Sequence, residues 1–256
     1  MDGFPDLSDH LLVLLYGCVL PFVSGVKSAE AMEGVVLAQR DRRRFYLANG
    51  LFLLASAIPV AVSWALHGRP FVVMGFRGIW LKDAYLPVFW ALTSVLLLLY
   101  AVDLAWNLRA VRRDPAAARE FEEKVPFLPG SVADLPAYLF MCLSAAFSEE
   151  LIYRGFMVTY FRPELNGREG LPYLAVLAPA VLFSLAHLYQ GWQAVGKILL
   201  LSVLLACIFL VSGSLWPVIL IHLLIDVASG VASMAMMKRM GNRDTGVLPS
   251  GTSVEE

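Results

Sequence analysis

The sequence predicts an all-α polytopic transmembrane bundle of about seven helices, with eight as the alternative count. Of its 256 residues, 59% are hydrophobic and only 16% are charged, whereas soluble domains average about 45–50% apolar and about 25% charged residues. The apolar residues gather in runs of roughly 20, the length that a helix needs to cross a hydrocarbon core of about 30 Å. Because lipid cannot satisfy backbone hydrogen bonds, such runs are expected to be helices.

Seven apolar runs are the candidate spans. In chain order, they are Leu11–Val26, Leu47–Leu66, Tyr85–Trp106, Leu135–Phe161, Leu171–Leu188, Val195–Val211 and Leu215–Met237. The first run contains Gly17 and Pro21 and is the weakest candidate. The first ten residues contain no Lys or Arg, whereas a cleavable signal peptide starts with basic residues, so we expect this run to be retained.

Basic residues in the loops predict the orientation of the bundle. If the first, third and fifth loops and the tail face the cytoplasm, they place 14 of the 20 Lys and Arg residues inside. Five then lie outside, and Arg154 falls within a span. The positive-inside rule therefore predicts an external N-terminus and a cytoplasmic C-terminus.

The spans form one predicted transmembrane domain, residues 1–240, with a motif-bearing core at 135–237. The polar segment 107–133 is either an interfacial helix or a solvated connector, and the Gly-, Ser- and Thr-rich tail 241–256 is predicted to be disordered. The three cysteines lie within apolar runs, which argues against a disulfide framework. With a net charge of −1 and no basic arm, we expect no nucleic-acid partner.

Three spans carry ionisable residues, and such residues at the bilayer centre are by default functional. The residues lie in the segments FSEELIYRGF, FSLAH and HLLID: Glu149, Glu150, Arg154, His187, His222 and Asp226. Glu150 and Arg154 are four residues apart and can form an ion pair on one helix face. Glu149 lies about 100° around the helix from Glu150, so its carboxylate is left free to face another group.

The other two segments repeat the four-residue spacing. The Phe183 ring can pack against the His187 imidazole, and Asp226 can hold the His222 ring in one orientation. Together these groups predict water-mediated attack on an amide. In that reading Glu149 is the general base, His187 orients the water, and His222 with Asp226 stabilises the oxyanion. The structural alternative is that the Glu150–Arg154 ion pair only stabilises the helix bundle.

The three segments resemble the signature of the CPBP family, the CAAX-protease and bacteriocin-processing (Abi) group of intramembrane endopeptidases. The family pattern is Glu-Glu-x-x-x-Arg, then Phe-x-x-x-His, then His-x-x-x-Asn or Asp, which stand here as EELIYR, FSLAH and HLLID. The resemblance implies that Glu149 activates water beside His187, that Glu150 and Arg154 support the site, and that His222 and Asp226 line the oxyanion hole. It also implies a membrane-associated protein or peptide substrate.

The sequence leaves several alternatives open. We expect no cofactor, although two histidines and a glutamate could ligate zinc. Cys142 and Ser148 are rival nucleophiles on the fourth span, without a sequence context that signals activation. A non-catalytic membrane binder, such as an immunity or scaffold protein, could use the same polar cluster. Asp226 in place of Asn, with the Ala-, Arg- and Leu-rich composition, favours a prokaryotic plasma membrane and a substrate without a CAAX tail.

Overall fold

Helices dominate the part of the chain that the structure describes. The computed structural model describes residues 3–23, 39–79, 81, 83–113, 128–162 and 171–244, and no strand occurs among them. Seven helices lie within those ranges: α1 (Leu7–Val23), α2 (Gln39–Leu66), α3 (Leu86–Arg113), α4 (Leu135–Glu149, Glu150–Met157 and Val158–Phe161 in sequence), α5 (Leu174–Leu185), α6 (Trp192–Ser212) and α7 (Leu215–Asp244). Short 3₁₀ turns lie at Phe71–Met74, Asp83–Tyr85, Val132–Asp134 and Leu188–Gln190. The all-α bundle predicted from the sequence is confirmed.

Five of these helices are long and apolar enough to cross a bilayer, namely α2, α3, α4, α6 and α7. Their lipid-facing surfaces are rich in exposed apolar side chains. Exposed aromatic residues also lie near the helix ends, such as Tyr85 just before α3 and Trp106 on it. These two residues are about 31 Å apart along a helical path, which matches the spacing of aromatic belts at the two interfaces. The protein is an integral membrane protein.

The fifth predicted span, Leu171–Leu188, is longer than the helix that forms. Helix α5 has 12 residues and ends at Leu185, so His187 lies beyond it. The His187 side chain supplies the reason, since its Nδ1 lies 2.9 Å from the Phe183 carbonyl oxygen. In a continuing helix that carbonyl would accept the His187 backbone N–H, which instead bonds to Ser184. A 3₁₀ turn and Gly191, at φ 91°, follow.

Contacts at the helix ends show how the bundle is arranged. Arg43 near the start of α2 pairs with the buried Asp134 just before α4, at 3.4 Å. At the other end of the molecule, Arg69 after α2 pairs with Asp9 of α1 at 2.7 Å. We call the end that contains the start of α2, the end of α3 and the start of α4 the basic end. Arginines at the start of α2 and the end of α3 lie there, namely Arg42, Arg43, Arg44, Arg109 and Arg113.

Helix α4 changes its winding at the site. Leu135–Glu149 is α-helical, whereas the eight residues Glu150–Met157 form a π-helix in which every residue is buried. A π segment widens the turn, and such segments occur frequently at functional sites. It begins at the second glutamate of the Glu-Glu pair, so the change of winding lies between the two carboxylates.

The two predicted polar segments lie mostly outside the described residues. Helix α3 continues to Arg113, and residues 114–127, where the interfacial helix was predicted, lie outside the description. Helix α7 runs to Asp244, four residues into the predicted disordered tail. The rest of that tail, residues 245–256, is outside the described part of the chain.

Candidate active site

A buried ion pair forms the base of the polar cluster. Arg154 Nη1 donates to Glu150 Oε1 at 2.8 Å, and the Glu150 side chain is 0% exposed. Arg154 Nη2 donates to the Ser202 hydroxyl of α6 at 2.8 Å, and the Phe183 ring of α5 lies 4.8 Å from the guanidinium carbon. The intrahelical pair predicted from the four-residue spacing is present, and it extends to two further helices.

His222 of α7 joins this pair through its Nδ1 atom, which lies 2.7 Å from Glu150 Oε1. Because Glu150 accepts from Arg154, its ionised carboxylate also accepts here, and Nδ1 of His222 carries the hydrogen. The sequence predicts that Asp226 orients the His222 ring, and the structure adds Glu150, which makes the shorter contact. Asp226 Oδ2 lies 3.6 Å from the other ring nitrogen, Nε2. A sequence spacing within one helix could not reveal the partner on another.

Glu149 lies on the opposite side of the imidazole from Glu150. Its Oε2 is 3.7 Å from His222 Nε2, beyond hydrogen-bond distance, and its side chain is 19% exposed. Asp226, on the same side, is 30% exposed. The structure therefore separates the paired glutamates: Glu150 is enclosed and bonded, whereas Glu149 is accessible and free of any short contact to His222.

The cluster contains more acidic than basic side chains. Three carboxylates, Glu149, Glu150 and Asp226, surround two basic groups, Arg154 and His222. Nε2 of His222 lies between two carboxylates, where a bound proton is stabilised by both. The arrangement can thus hold a proton on the imidazole and pass it to a neighbouring oxygen or to a bound group.

His187 is fixed at the end of α5 by two contacts. Its ring centroid is 4.7 Å from that of Phe183, as the spacing predicted, and its Nδ1 donates to the Phe183 carbonyl. In the neutral ring Nε2 is then an acceptor. Phe183 also lies 6.3 Å from the His222 ring, so one aromatic ring packs against both histidines. Tyr189 stacks on the outer side of His187 at 6.1 Å.

The rival nucleophiles lie in different surroundings. Cys142 is buried and packs against Tyr46 and Tyr138. Ser148 is also buried, and its hydroxyl has no hydrogen-bond partner among the described residues. Neither therefore shows the adjacent base that activates a thiol or hydroxyl. Within the described ranges, no group of three His, Cys, Asp or Glu side chains has the geometry to hold a metal.

The sequence did not predict the roles of Ser202 or of Tyr138 and Tyr100, which bond to the backbone of α7. The Tyr138 hydroxyl donates to the Asp226 carbonyl at 2.8 Å, and that of Tyr100 donates to the Ile225 carbonyl at 3.0 Å. These bonds attach the Asp226 turn of α7 to α4 and α3. Ser202 had a usable signal, because it is one of very few polar residues in an apolar run. The tyrosines had none, since aromatic residues are common in spans.

Comparison with known proteins agrees with this picture. Residues 131–228 match the family model described as type II CAAX prenyl endopeptidase Rce1-like. No curated protein and no solved structure gives a significant match. The fold is that of an integral membrane protein. Residues 131–228 are similar to the type II CAAX prenyl endopeptidase Rce1-like family, and the three motifs lie within the matched segment.

Proposed function

We propose that the protein is an intramembrane endopeptidase that cleaves a membrane-associated protein or peptide with water activated by Glu149. One observation carries the proposal: of the two adjacent glutamates, Glu149 is the one left accessible, 3.7 Å from the imidazole that its neighbour Glu150 orients. A general base must be ionised, reachable by water and close to a proton relay. Glu150 does not qualify, because two donors occupy its Oε1 and its side chain is 0% exposed.

The proposed reaction uses three side chains, and Glu149 acts twice. Glu149 takes a proton from water, and the resulting hydroxide attacks the scissile carbonyl carbon. His187, whose Nδ1 donates to the Phe183 carbonyl, accepts a hydrogen bond through Nε2 from the hydrogen that stays on the attacking oxygen. The carbonyl oxygen becomes an oxyanion, which the protonated Nε2 of His222 stabilises. The proton on Glu149 then passes to the leaving amine, the C–N bond breaks, and Glu149 is again a carboxylate.

The residue at position 226 bears on the oxyanion step. An ionised aspartate cannot donate a hydrogen bond to an oxyanion, whereas an asparagine can. At 3.6 Å from His222 Nε2, Asp226 instead favours a proton on that nitrogen, so the imidazolium becomes the donor. We propose that this substitution accompanies a prokaryotic substrate that lacks a CAAX tail, and that the basic end of the bundle faces the cytoplasm.

The test compares membrane-protein cleavage products in cells that carry the wild type, Glu149→Gln or Asp41→Asn. Asp41 is exposed at the basic end of α2, so its variant controls for loss of one carboxylate. We expect cleavage products in cells with the wild type and in cells with Asp41→Asn. The same products should be absent from cells with Glu149→Gln. Identical products from wild type and Glu149→Gln would identify a non-catalytic binder instead.

The same products, assayed with purified protein, test metal dependence. Cleavage that persists after exhaustive chelation supports water activated by glutamate alone. Cleavage that stops with chelation and returns with zinc would replace this mechanism with the zinc-dependent variant, in which the two histidines and Glu149 would be the ligands.

A further inference from the structure

We propose that Ser202 of α6 is a positioning residue for catalysis, acting on the reacting groups through Arg154, Glu150 and His222. The proposal rests on the proposed function and adds a fourth helix to the site. Ser202 lies outside the three motifs and in a stretch of α6, residues 198–211, that is otherwise apolar. Its side chain is buried and touches no group that would contact a substrate directly.

The first step is the way Ser202 holds the guanidinium. Arg154 is almost fully buried, and a buried guanidinium needs acceptors for its five N–H groups. Glu150 supplies one at Nη1, and the Ser202 hydroxyl supplies another at Nη2, each at 2.8 Å. The Phe183 ring covers one face at 4.8 Å. Without Ser202, Nη2 loses a charge-assisted hydrogen bond and the plane of the guanidinium is less restricted.

The second step carries that orientation to the base. Glu150 Oε1 accepts from Arg154 and from His222 Nδ1 at the same time, at 2.8 Å and 2.7 Å. The position of this oxygen therefore sets the rotation of the imidazole ring. The ring in turn directs Nε2 toward Glu149, 3.7 Å away. A change at Ser202 is transmitted to Glu149 through four successive contacts, none of which involves the substrate.

The experiment uses Ser202→Ala, Ser202→Thr and Ser144→Ala in the full-length protein. Ser144→Ala is the matched control, because Ser144 is also buried and its hydroxyl bonds only to the Phe140 carbonyl of its own helix. Ser202→Ala should lower kcat roughly 10- to 100-fold, the range for loss of one hydrogen bond to a charged group. KM should stay within about twofold, since Ser202 does not touch substrate. Ser202→Thr, which keeps the hydroxyl, should recover most of kcat.

A second measurement does not depend on activity. In wild-type protein labelled with ¹⁵N-histidine, the Nδ1–H of His222 should give a resonance typical of a strong hydrogen bond. Ser202→Ala should shift or broaden that resonance, whereas Ser144→Ala should leave it unchanged. If wild type cleaves nothing but the resonance responds to Ser202, the proposed function fails and the positioning contact survives.

Two results would overturn the proposal. One is Ser202→Ala with kcat and the His222 resonance both equal to those of the wild type. The other is a Ser202→Ala defect that Ser202→Thr does not restore although the Thr variant is folded, since a space-filling role would then explain the loss.

Discussion

Two arginine clusters of the bundle contain the same kinds of side chain but differ in how many of their carboxylates remain without a short contact. Arg69, near the end away from the basic end, pairs with Asp6 and Asp9 and lies 4.9 Å from the Phe4 ring and 5.3 Å from that of Trp64. Arg154 likewise has a carboxylate and an aromatic ring. Each cluster also contains a histidine, since His67 Nε2 lies 2.9 Å from Asp6. We call these the Arg69 cluster and the Arg154 cluster.

The Arg69 cluster uses its carboxylates for structure. The Asp6 carboxylate accepts from the backbone N–H groups of Ser8 and Asp9, which caps α1. The Asp9 carboxylate in turn accepts from the Asp6 backbone N–H. In the Arg154 cluster, Glu149 and Asp226 make no contact to His222 shorter than 3.6 Å and are partly exposed. The difference teaches that a buried ion pair alone is a structural feature. The proposed catalytic role rests instead on the partly exposed carboxylates beside such a pair.

The largest expected effect contrasts Glu149→Gln with Asp9→Asn. Glu149→Gln should reduce cleavage at least about 10³-fold, within the range for loss of a general base, with little change in unfolding temperature. Asp9 is fully buried and bonded to Arg69, so Asp9→Asn should lower the unfolding temperature and leave turnover per folded molecule intact. The check is to measure cleavage and thermal unfolding of both variants. An equal loss of activity and of unfolding temperature in both would contradict the difference between the two clusters.

The arginines give the next largest effect. Arg154→Gln and Arg69→Gln each leave a fully buried carboxylate without its partner, Glu150 or Asp9, at a cost of about 3–5 kcal/mol in unfolding free energy. Only Arg154→Gln should also abolish turnover of the folded fraction isolated by size exclusion. An equal loss of turnover in Arg69→Gln would mean that the Arg69 cluster also controls the site.

A smaller effect is expected at Asp226. Asp226→Asn removes one negative charge near His222 Nε2 but keeps a polar side chain of the same size. We expect kcat within about tenfold of the wild type, because Glu150, rather than Asp226, makes the hydrogen bond that orients the ring. Steady-state kinetics on a synthetic substrate checks this. Complete inactivity would show that Asp226 has a role that its geometry does not reveal.

The smallest effect concerns pH and the Arg69 cluster. Burial alone would raise the pKa of Asp6, but hydrogen bonds from Ser8 and Asp9 and the charge of Arg69 outweigh it and lower that pKa. A carboxylate with a lowered pKa stabilises the fold at pH values above its ordinary pKa. This stabilisation is lost as the pH falls through the lowered pKa. Asp6→Asn should therefore cost no more than about 1 kcal/mol near neutrality.

The measurement is the unfolding free energy of wild type and Asp6→Asn across the acidic range. The difference between them should shrink as pH falls below the ordinary carboxyl range and vanish below the lowered pKa of Asp6, where both side chains are uncharged. A difference that stays constant down to that pH would show that Asp6 stabilises α1 through its shape and hydrogen bonds rather than its charge.

Sequence patterns predicted the parts of this molecule that depend on local spacing. Seven helices follow from apolar run length, and the Glu150–Arg154 pair and the Phe183–His187 packing follow from four-residue separations. Each of these lies within one helix or at its end. The physical cause is helical periodicity, which fixes from sequence position alone which side chains share a helix face.

The features that the sequence did not predict depend on contacts between helices. The His222 bond to Glu150 and the Arg154 bond to Ser202 join residues 72 and 48 positions apart. The π winding of Glu150–Met157 has no composition that marks it. The early end of α5 results from one side chain competing for a backbone carbonyl, whereas apolar run length alone predicted a span of full length.

That early end has a consequence for solvent. A helix of 12 residues is about 18 Å long, roughly 12 Å less than the hydrocarbon core. Residues 186–191 then continue toward the start of α6 as turns, whose N–H and C=O groups are not all bonded within a regular helix. Irregular backbone at such depth is stable only against protein or in a hydrated vestibule. The turns at residues 186–191 therefore need protein or water beside them to satisfy their backbone groups, which a helix of full length would not.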